Sequence, residues 1–287
     1  MNSFSWIPNF RAGKRCCEHR PTPGDSPGVR LGVGTIKKLY QTEWQDIRFS
    51  DFAELSSAKV AAPEFYQRFY EEFFKRYQDW EQVSPSWRGG KERWAEFILA
   101  RIEADSRVLS VGCGLGAVEH YIHSQNPQLD LSIHEVAPSA LRWIGQEFPE
   151  DHKFTGLIPA CLPEGVRFDL IYLATVDYPL DDDVLVGLLA ALRRFLTPGR
   201  GRCLLISGSF EDTPGTLKDR AVLLKQRLKA VAAAGLDIAG LRPRGQLWGW
   251  IRTQREYRAL MQRAGYSNIE DGFVDPDQRT HYWIAGR

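Results

Sequence analysis

The sequence predicts an α/β protein, a layered domain on a mainly parallel sheet with a helical extension before it. Three observations carry this. From residue 107 onward, short apolar segments alternate with helical patterns, as helices layered on a parallel sheet require. The first of those segments runs into a glycine-rich turn, residues 112–116, that opens a helix. Near the end of the chain, residues 267–274 and 280–286 are joined only by DPDQR, too short for a parallel crossover, so they pair antiparallel.

With 287 residues, 43% of them hydrophobic and 25% charged, the chain has the makeup of a soluble globular protein. Its length suits one large core domain with an appendage. Lys and Arg number 37 against 36 Asp and Glu, a net charge of +1 that makes no electrostatic case for nucleic acid. The five cysteines are odd in number and show no CxxC spacing, which fits a reducing, cytoplasmic setting and no metal site. Cys16, Cys17 and His19 are too poorly spaced to chelate. No run of about 18 apolar residues exists to insert in a membrane.

In chain order, residues 1–34 read as an irregular arm, rich in Pro and Gly and without apolar periodicity. Residues 35–104 read as a helical cap. Within it, PEFYQRFYEEFFKRYQDW starts at Pro63 and puts aromatics at 65, 66, 69, 70, 73, 74, 77 and 80 on one half of a helix. That face packs on the core, forms a lid over a ligand pocket, or does both. A second amphipathic helix, 87–103, leads into the core domain, residues 105–287. There the expected elements are a strand at 107–111, a helix at 117–125, a strand at 129–134 and a helix from Pro138 to Phe148. A weak strand at 153–155, a strand at 168–173, a helix at 181–196 and a strand at 202–207 follow. The alternation then breaks for an insertion, 208–252, containing a basic helix at 215–234, before a helix at 253–264 and the closing hairpin.

The strongest chemical signal is VLSVGCGLGA, Val108 to Ala117. Alternate glycines let backbone approach a ligand with no side chain between, and the helix start offers free N–H groups. Gly112-Cys113-Gly114-Leu115-Gly116-Ala117 satisfies G-x-G-x-x-(G/A), so the loop alone admits either a nicotinamide dinucleotide or S-adenosylmethionine. Glu135, 23 positions beyond Gly112 at the end of the second strand, suits the hydroxyls of the ribose that both cofactors contain.

Taken together, VLSVGCGLG, HEVAPSALRWI, FDLIYLATVDYPLDDDVLVGLLAALRRFLTPGRGRCLLI, YRALMQRAGYSNIE and THYWIAGR resemble the class I S-adenosylmethionine-dependent methyltransferases over about residues 105–287. The resemblance implies a Rossmann-like seven-stranded sheet with the last strand antiparallel, and S-adenosylmethionine as cofactor. It implies that Gly112, Cys113, Gly114 and Gly116 surround the methionine and ribose portions. It further makes Glu135 the ribose ligand, puts Val136 beside adenine and sets Ala174 next to the amino-acid end. Many members carry an Asp for the adenine amino group after the third strand. Here the chain reads Gly156-Leu157-Ile158-Pro159, which leaves adenine to backbone groups and apolar packing around Leu157. A nicotinamide enzyme fits less well, since more than a hundred residues precede the loop and no Tyr-x-x-x-Lys pair exists.

For the acceptor, many relatives place a Glu-His pair where this chain has Asp177 and Tyr178. A phenol of pKa about 10 is a poor proton acceptor at neutral pH, so Asp177 is the better candidate base and Tyr178 the weaker one. His120, His123 and His134 read as structural. In GQLWGWIR, residues 245–252, Trp248 and Trp250 suit a stacking wall and Arg252 an anion contact, chemistry that a sugar or acidic metabolite calls for; the alternative is an extended segment packed on the sheet. Lys91 reads as solvated surface first, with covering the cofactor's carboxylate as the functional alternative. The expectation is a cytoplasmic methyltransferase acting on a small-molecule acceptor, at a hydroxyl of a sugar or secondary metabolite, or at an amine. A cofactor-binding scaffold without catalysis is the alternative.

Overall fold

A computed structural model describes residues 36–57, 61–210, 217–241, 245–275 and 280–287. The arm expected over 1–34, with Cys16, Cys17 and His19, lies outside the described residues, as does the start of the basic insertion helix expected at 215. The elements in chain order are β1 (Ile36–Gln41), β2 (Glu43–Trp44), β3 (Ile47–Arg48), α1 (Pro63–Arg76), α2 (Pro85–Leu99), β4 (Arg107–Val111), α3 (Ala117–Gln125) and β5 (Asp130–Glu135). Then come β6 (Lys153–Thr155), β7 (Leu170–Ala174), α4 (Asp182–Arg193), β8 (Arg202–Phe210), α5 (Leu217–Ile238), β9 (Leu247–Thr253), α6 (Gln254–Arg263), β10 (Ser267–Asp275) and β11 (Thr280–Gly286).

Seven strands lie in the order β6-β5-β4-β7-β8-β11-β10, with β11 antiparallel to both neighbours and the rest parallel, as expected. Strands covered on both faces must be apolar along their length, and RVLSV and LIYLA are buried at nearly every position. Alternation then sorts the side chains. Leu109, Val111, Ile171, Leu173 and Trp283 pack with Leu185, Leu189 and Leu192 of α4 and Leu260 and Met261 of α6. Val108, Leu170, Tyr172 and Ile284 pack on the other face with Ala95 and Ile98 of α2 and Val118 and Ile122 of α3. Burying each such side chain contributes about 1.5–3 kcal/mol.

Local chemistry sets the helix starts. The Asp181 carboxylate accepts the Val184 N–H at 2.9 Å to begin α4. Thr253 and Glu256 form a reciprocal capping box at α6, and Pro63 occupies the first turn of α1.

The structure corrects three expectations. Residues 35–104 are not helical throughout, because Ile36–Gln41 forms β1 and pairs antiparallel with β9. Residues 247–252, expected within an insertion, belong to β9, which also joins the end of β8 at Ser209–Arg252 and Phe210–Thr253. The sheet therefore forks at β8 and has nine strands in all. In place of a helix over 138–148 the chain makes two short 3-10 turns, Pro138–Arg142 and Ile144–Gln146. Gly145 weakens a helix there, and Trp143 is drawn instead against Phe73, Phe74 and Trp80.

The aromatic face of α1 is buried as its spacing predicts, although the helix ends at Arg76 and leaves Tyr77 and Trp80 beyond it. Phe65, Phe69, Phe73 and Phe74 pack with Phe49, Val83, Leu247 and Leu115, the last from the glycine loop itself. Ser139 ties this helix to the core by donating to the Gln67 carbonyl at 3.0 Å. The extension thus rests on the loop that the core presents.

Candidate active site

Strand order reverses between β4 and β7, since β5 and β6 lie on one side and β7 and β8 on the other. Ligands of open α/β sheets bind outside the carboxyl ends of strands at such a point. A cavity of about 820 Å³ occupies it, walled by residues 110–119, Glu135, Val136, 156–159 and 174–176 from the core. The extension closes it with Trp44, Phe49, Phe65, Tyr66, Phe69 and Tyr70.

In the glycine loop, Gly112, Gly114 and Gly116 have φ of 69°, 61° and 81°, in the left-handed region that side chains disfavour. A Cβ on Gly116 would lie 2.5 Å from Ile144 Cγ1, and one on Gly114 3.0 Å from the Tyr70 hydroxyl. The loop is held by the ends of β4 and β5: Gly112 and Cys113 N–H donate to the His134 carbonyl at 2.8 and 3.0 Å, and Gly114 N–H to Glu135 Oε2 at 2.9 Å. Beyond it, the first-turn N–H groups of α3 have no acceptor within the helix, and Ala117, Val118 and Glu119 line the cavity. Replacing Gly116 by alanine adds backbone strain of about 1–3 kcal/mol and the clash with Ile144. The expected loss is about 3 kcal/mol, read in thermal denaturation as a Tm drop of about 6–12 °C, together with weaker cofactor binding. An unchanged Tm would contradict this loop geometry.

Glu135 ends β5 and is 5% exposed. Besides Gly114 N–H it accepts Val136 N–H at 2.7 Å and Ala137 N–H at 3.3 Å, both on Oε1. Burial pushes its pKa up, and the bonds from Gly114, Ala137 and Val136 oppose that shift. An ionised carboxylate has about four lone-pair sites, so three N–H partners leave it able to accept from a ribose hydroxyl. At the far end Val136, Gly156, Leu157, Ile158 and Pro159 form an apolar clamp, none of them carrying a carboxylate. An adenosyl group with an amino-acid tail fits this arrangement: an acceptor at the sugar, apolar walls for the base, and a bare helix start.

His134 also lines the cavity, with Nε2 2.8 Å from the Gly156 carbonyl. Burial pushes its pKa down to about 4, so the imidazole is neutral and structural. His120 lies outside the cavity, 2.7 Å from Glu147 Oε1 and stacked on Trp80.

Of the residues expected at the acceptor end, only Tyr178 lines the cavity. Its phenol is pushed up by burial, against a hydrogen bond with Tyr66. The structure corrects the expected place of four others. Asp177 is fully buried outside the cavity, with Oδ2 accepting from Ser207 Oγ at 2.9 Å and from the Tyr257 hydroxyl. Arg252 is fully buried beside it, donating to Asp182 Oδ1 at 2.8 Å and the Leu180 carbonyl at 2.6 Å. Trp248 is buried in β9, and its indole N–H donates to Gln246 at 3.2 Å. Trp250 faces β1, with Lys37 Nζ 5.0 Å from its ring centre. Trp248, Trp250 and Arg252 belong to a segment whose strand pairing the local sequence does not announce, whereas Asp177 follows β7 and is turned into the interior by Ser207 and Tyr257. Conversely, Tyr66 and Tyr70 were seen only as part of an aromatic stripe. Their orientation into the cavity depends on where α1 docks.

The model of a family described as a methyltransferase domain matches residues 80–271, more than half of the chain. The chain belongs to the class I S-adenosylmethionine-dependent methyltransferases. The nicotinamide reading of the loop falls away with that. S-Adenosylmethionine is the cofactor of this methyltransferase family, and the cradle above has the groups it calls for. No curated protein matches the sequence.

Among solved structures, the fold is shared with the pyocyanin biosynthetic protein PhzM, at 20% identity and a TM-score of 0.50 over 76% of this chain and 61% of that one. A putative O-methyltransferase from Nostoc punctiforme matches at 17% identity and a TM-score of 0.50, over 78% and 60% of the two chains. PigF with S-adenosylhomocysteine matches at 18% identity and a TM-score of 0.50, over 85% and 63%. The chain thus spans about three fifths of the length of the structures it resembles. Among the described residues no helix is long and apolar enough to cross a membrane, and no group of three metal-ligating side chains occurs.

Proposed function

We propose that this chain transfers a methyl group to a hydroxyl of a small, ring-bearing apolar acceptor. The observation that carries the reading is the continuity of one cavity, from Glu135 and the glycine loop to the rings of Trp44, Phe49, Phe65 and Phe69. The sugar expected earlier loses its support, because it rested on Trp248, Trp250 and Arg252. A hydroxyl on an apolar secondary metabolite suits these walls, and the Nostoc neighbour's description as a putative O-methyltransferase agrees with that chemistry.

When bound, S-adenosylmethionine supplies an activated methyl group and its own leaving group. What remains for the protein is placement and exclusion of water. Glu135 and the start of α3 hold one end of the cavity, and α1 closes over the other. Tyr66 and Tyr178, neutral by burial, offer hydroxyls that orient an acceptor oxygen through hydrogen bonds. Asp177 is sealed away, and burial that pushes the His134 pKa down to about 4 leaves it a weak base, so the acceptor proton passes to water or the acceptor binds already ionised.

Tyr178→Phe distinguishes orientation from base catalysis. General-base removal costs about 10²–10⁴ in rate, whereas loss of an orienting hydroxyl is expected to cost under about tenfold in kcat. The reading as a whole is tested by incubation with methyl-labelled cofactor and separate pools of phenolic, sugar and amine acceptors. Label in the phenolic pool supports it, and label confined to sugars or amines overturns the acceptor class. Binding of S-adenosylhomocysteine with no labelled product in any pool favours the scaffold alternative.

A further inference from the structure

Trp87, Lys91 and Trp94 recur at helical spacing on one face of α2. Lys91 Nζ lies 3.9 Å from the Trp94 ring centre and 5.7 Å from that of Trp87. Lys91 is half-buried, and the cavity it lines is the one formed by Ser110, Ala117, Val118 and Glu119. Among the described residues its ammonium makes no hydrogen bond and no ion pair within 4.0 Å, although it carries three donors. Burial pushes the Lys91 pKa down to about 8, against the charge of Glu119, which faces it from α3. Oε1 of that carboxylate accepts from Ser110 Oγ at 2.6 Å and the Tyr172 hydroxyl at 2.8 Å, while its buried Oε2 has no partner among the described residues.

A desolvated ammonium with no anion within 4.0 Å is unfavourable, and cation–π contact recovers only about 0.5–2 kcal/mol of that cost. The first-turn N–H groups of α3 add partial positive charge at the same end of the cavity. The group that completes this corner is an anion reaching past the glycine loop, on the side away from the apolar adenine clamp. We propose that Lys91 binds the carboxylate at the amino-acid end of the cofactor, with Trp87 and Trp94 holding the ammonium in position. This rests on the cofactor reading above. It makes α2, which precedes the core domain, part of the cofactor site.

The test compares two ligands that share the adenosyl part, S-adenosylhomocysteine and 5′-methylthioadenosine, of which only the first carries the carboxylate. Calorimetry on Lys91→Met is expected to show homocysteine-ligand affinity lowered about 10–100-fold, the range for a hydrogen-bonded charge, with 5′-methylthioadenosine affinity unchanged. Lys91→Arg is expected to restore most of the loss. Equal weakening of both ligands marks a structural role and overturns the proposal. So does unchanged affinity for both, with binding of a carboxylate probe such as benzoate to the S-adenosylhomocysteine complex lost instead, which assigns Lys91 to an acceptor. If the unaltered protein binds neither nucleoside, the cofactor reading itself fails, a result separate from either of these.

Discussion

Arg252→Ala is expected to destabilise the protein by about 3–5 kcal/mol and to leave ligand affinity nearly untouched. The guanidinium is fully buried and donates to Asp182, to the Leu180 carbonyl and, at 3.4 Å, to the Asp177 carbonyl. It also lies 4.0 Å from Asp177 Oδ2. Truncation strands the fully buried Asp177 carboxylate with only Ser207 and Tyr257 to support it. Thermal denaturation should show a Tm drop of about 6–20 °C. Burial already pushes the Asp177 pKa above its ordinary value, against the Tyr257, Arg252 and Ser207 contacts. A carboxyl whose folded pKa exceeds its unfolded one makes the folded state less stable as pH rises between the two values. Removing Arg252 widens that window, so the deficit of the variant should shrink as pH falls toward 4. A variant that melts like the parent but loses acceptor binding would return Arg252 to the acceptor pocket.

Glu135→Ala is expected to lower affinity for S-adenosylhomocysteine by about 10²–10³. Two effects combine. The ribose loses its carboxylate, and the N–H groups of Gly114, Val136 and Ala137 lose their shared acceptor. A hydrogen bond to a charged group is worth about 1.5–3 kcal/mol, so a loss of about 3–4 kcal/mol in binding is reasonable. Unlike the Lys91 change, this one should weaken 5′-methylthioadenosine as much, because both ligands contain the ribose. Glu135→Gln should fall between, since its amide oxygen still accepts while its NH₂ meets N–H donors. Calorimetric affinities within about threefold of the parent would remove Glu135 from the site.

How much of this was legible beforehand varies along the chain. The core strands β4 to β8 and the closing hairpin β10–β11 are legible in the sequence, because apolar alternation and glycine turns act over a few residues. The same holds for the glycine loop, Glu135 and Leu157, whose positions follow from the strand ends that carry them. The short 3-10 turns after Pro138 were read as one helix. There the packing of Trp143 and the fit of Ile144 against Gly116 outweigh local propensity. On the acceptor side the reading went astray for a different reason. Trp248, Trp250 and Arg252 are residue types that binding pockets favour, and nothing nearby in the sequence shows that their segment is a strand. Its partner is β1, more than two hundred residues earlier, where Ile36 meets Ile251 and Leu39 meets Trp248. Burial on both faces then turns Arg252 inward to Asp182 rather than toward a ligand.

The sequence by itself determined the order of the core strands' polarity, the closing hairpin, the glycine loop and the acid that faces it, since each depends on spacing within one or two adjoining elements. Only the tertiary structure decided which aromatic rings enclose the cavity, that Lys91 stands in its wall, and that Asp177 and Arg252 are sealed from it. These outcomes depend on how α1, α2, β1 and β9 dock across long separations. Docking is chosen by the sum of many buried contacts rather than by any short pattern.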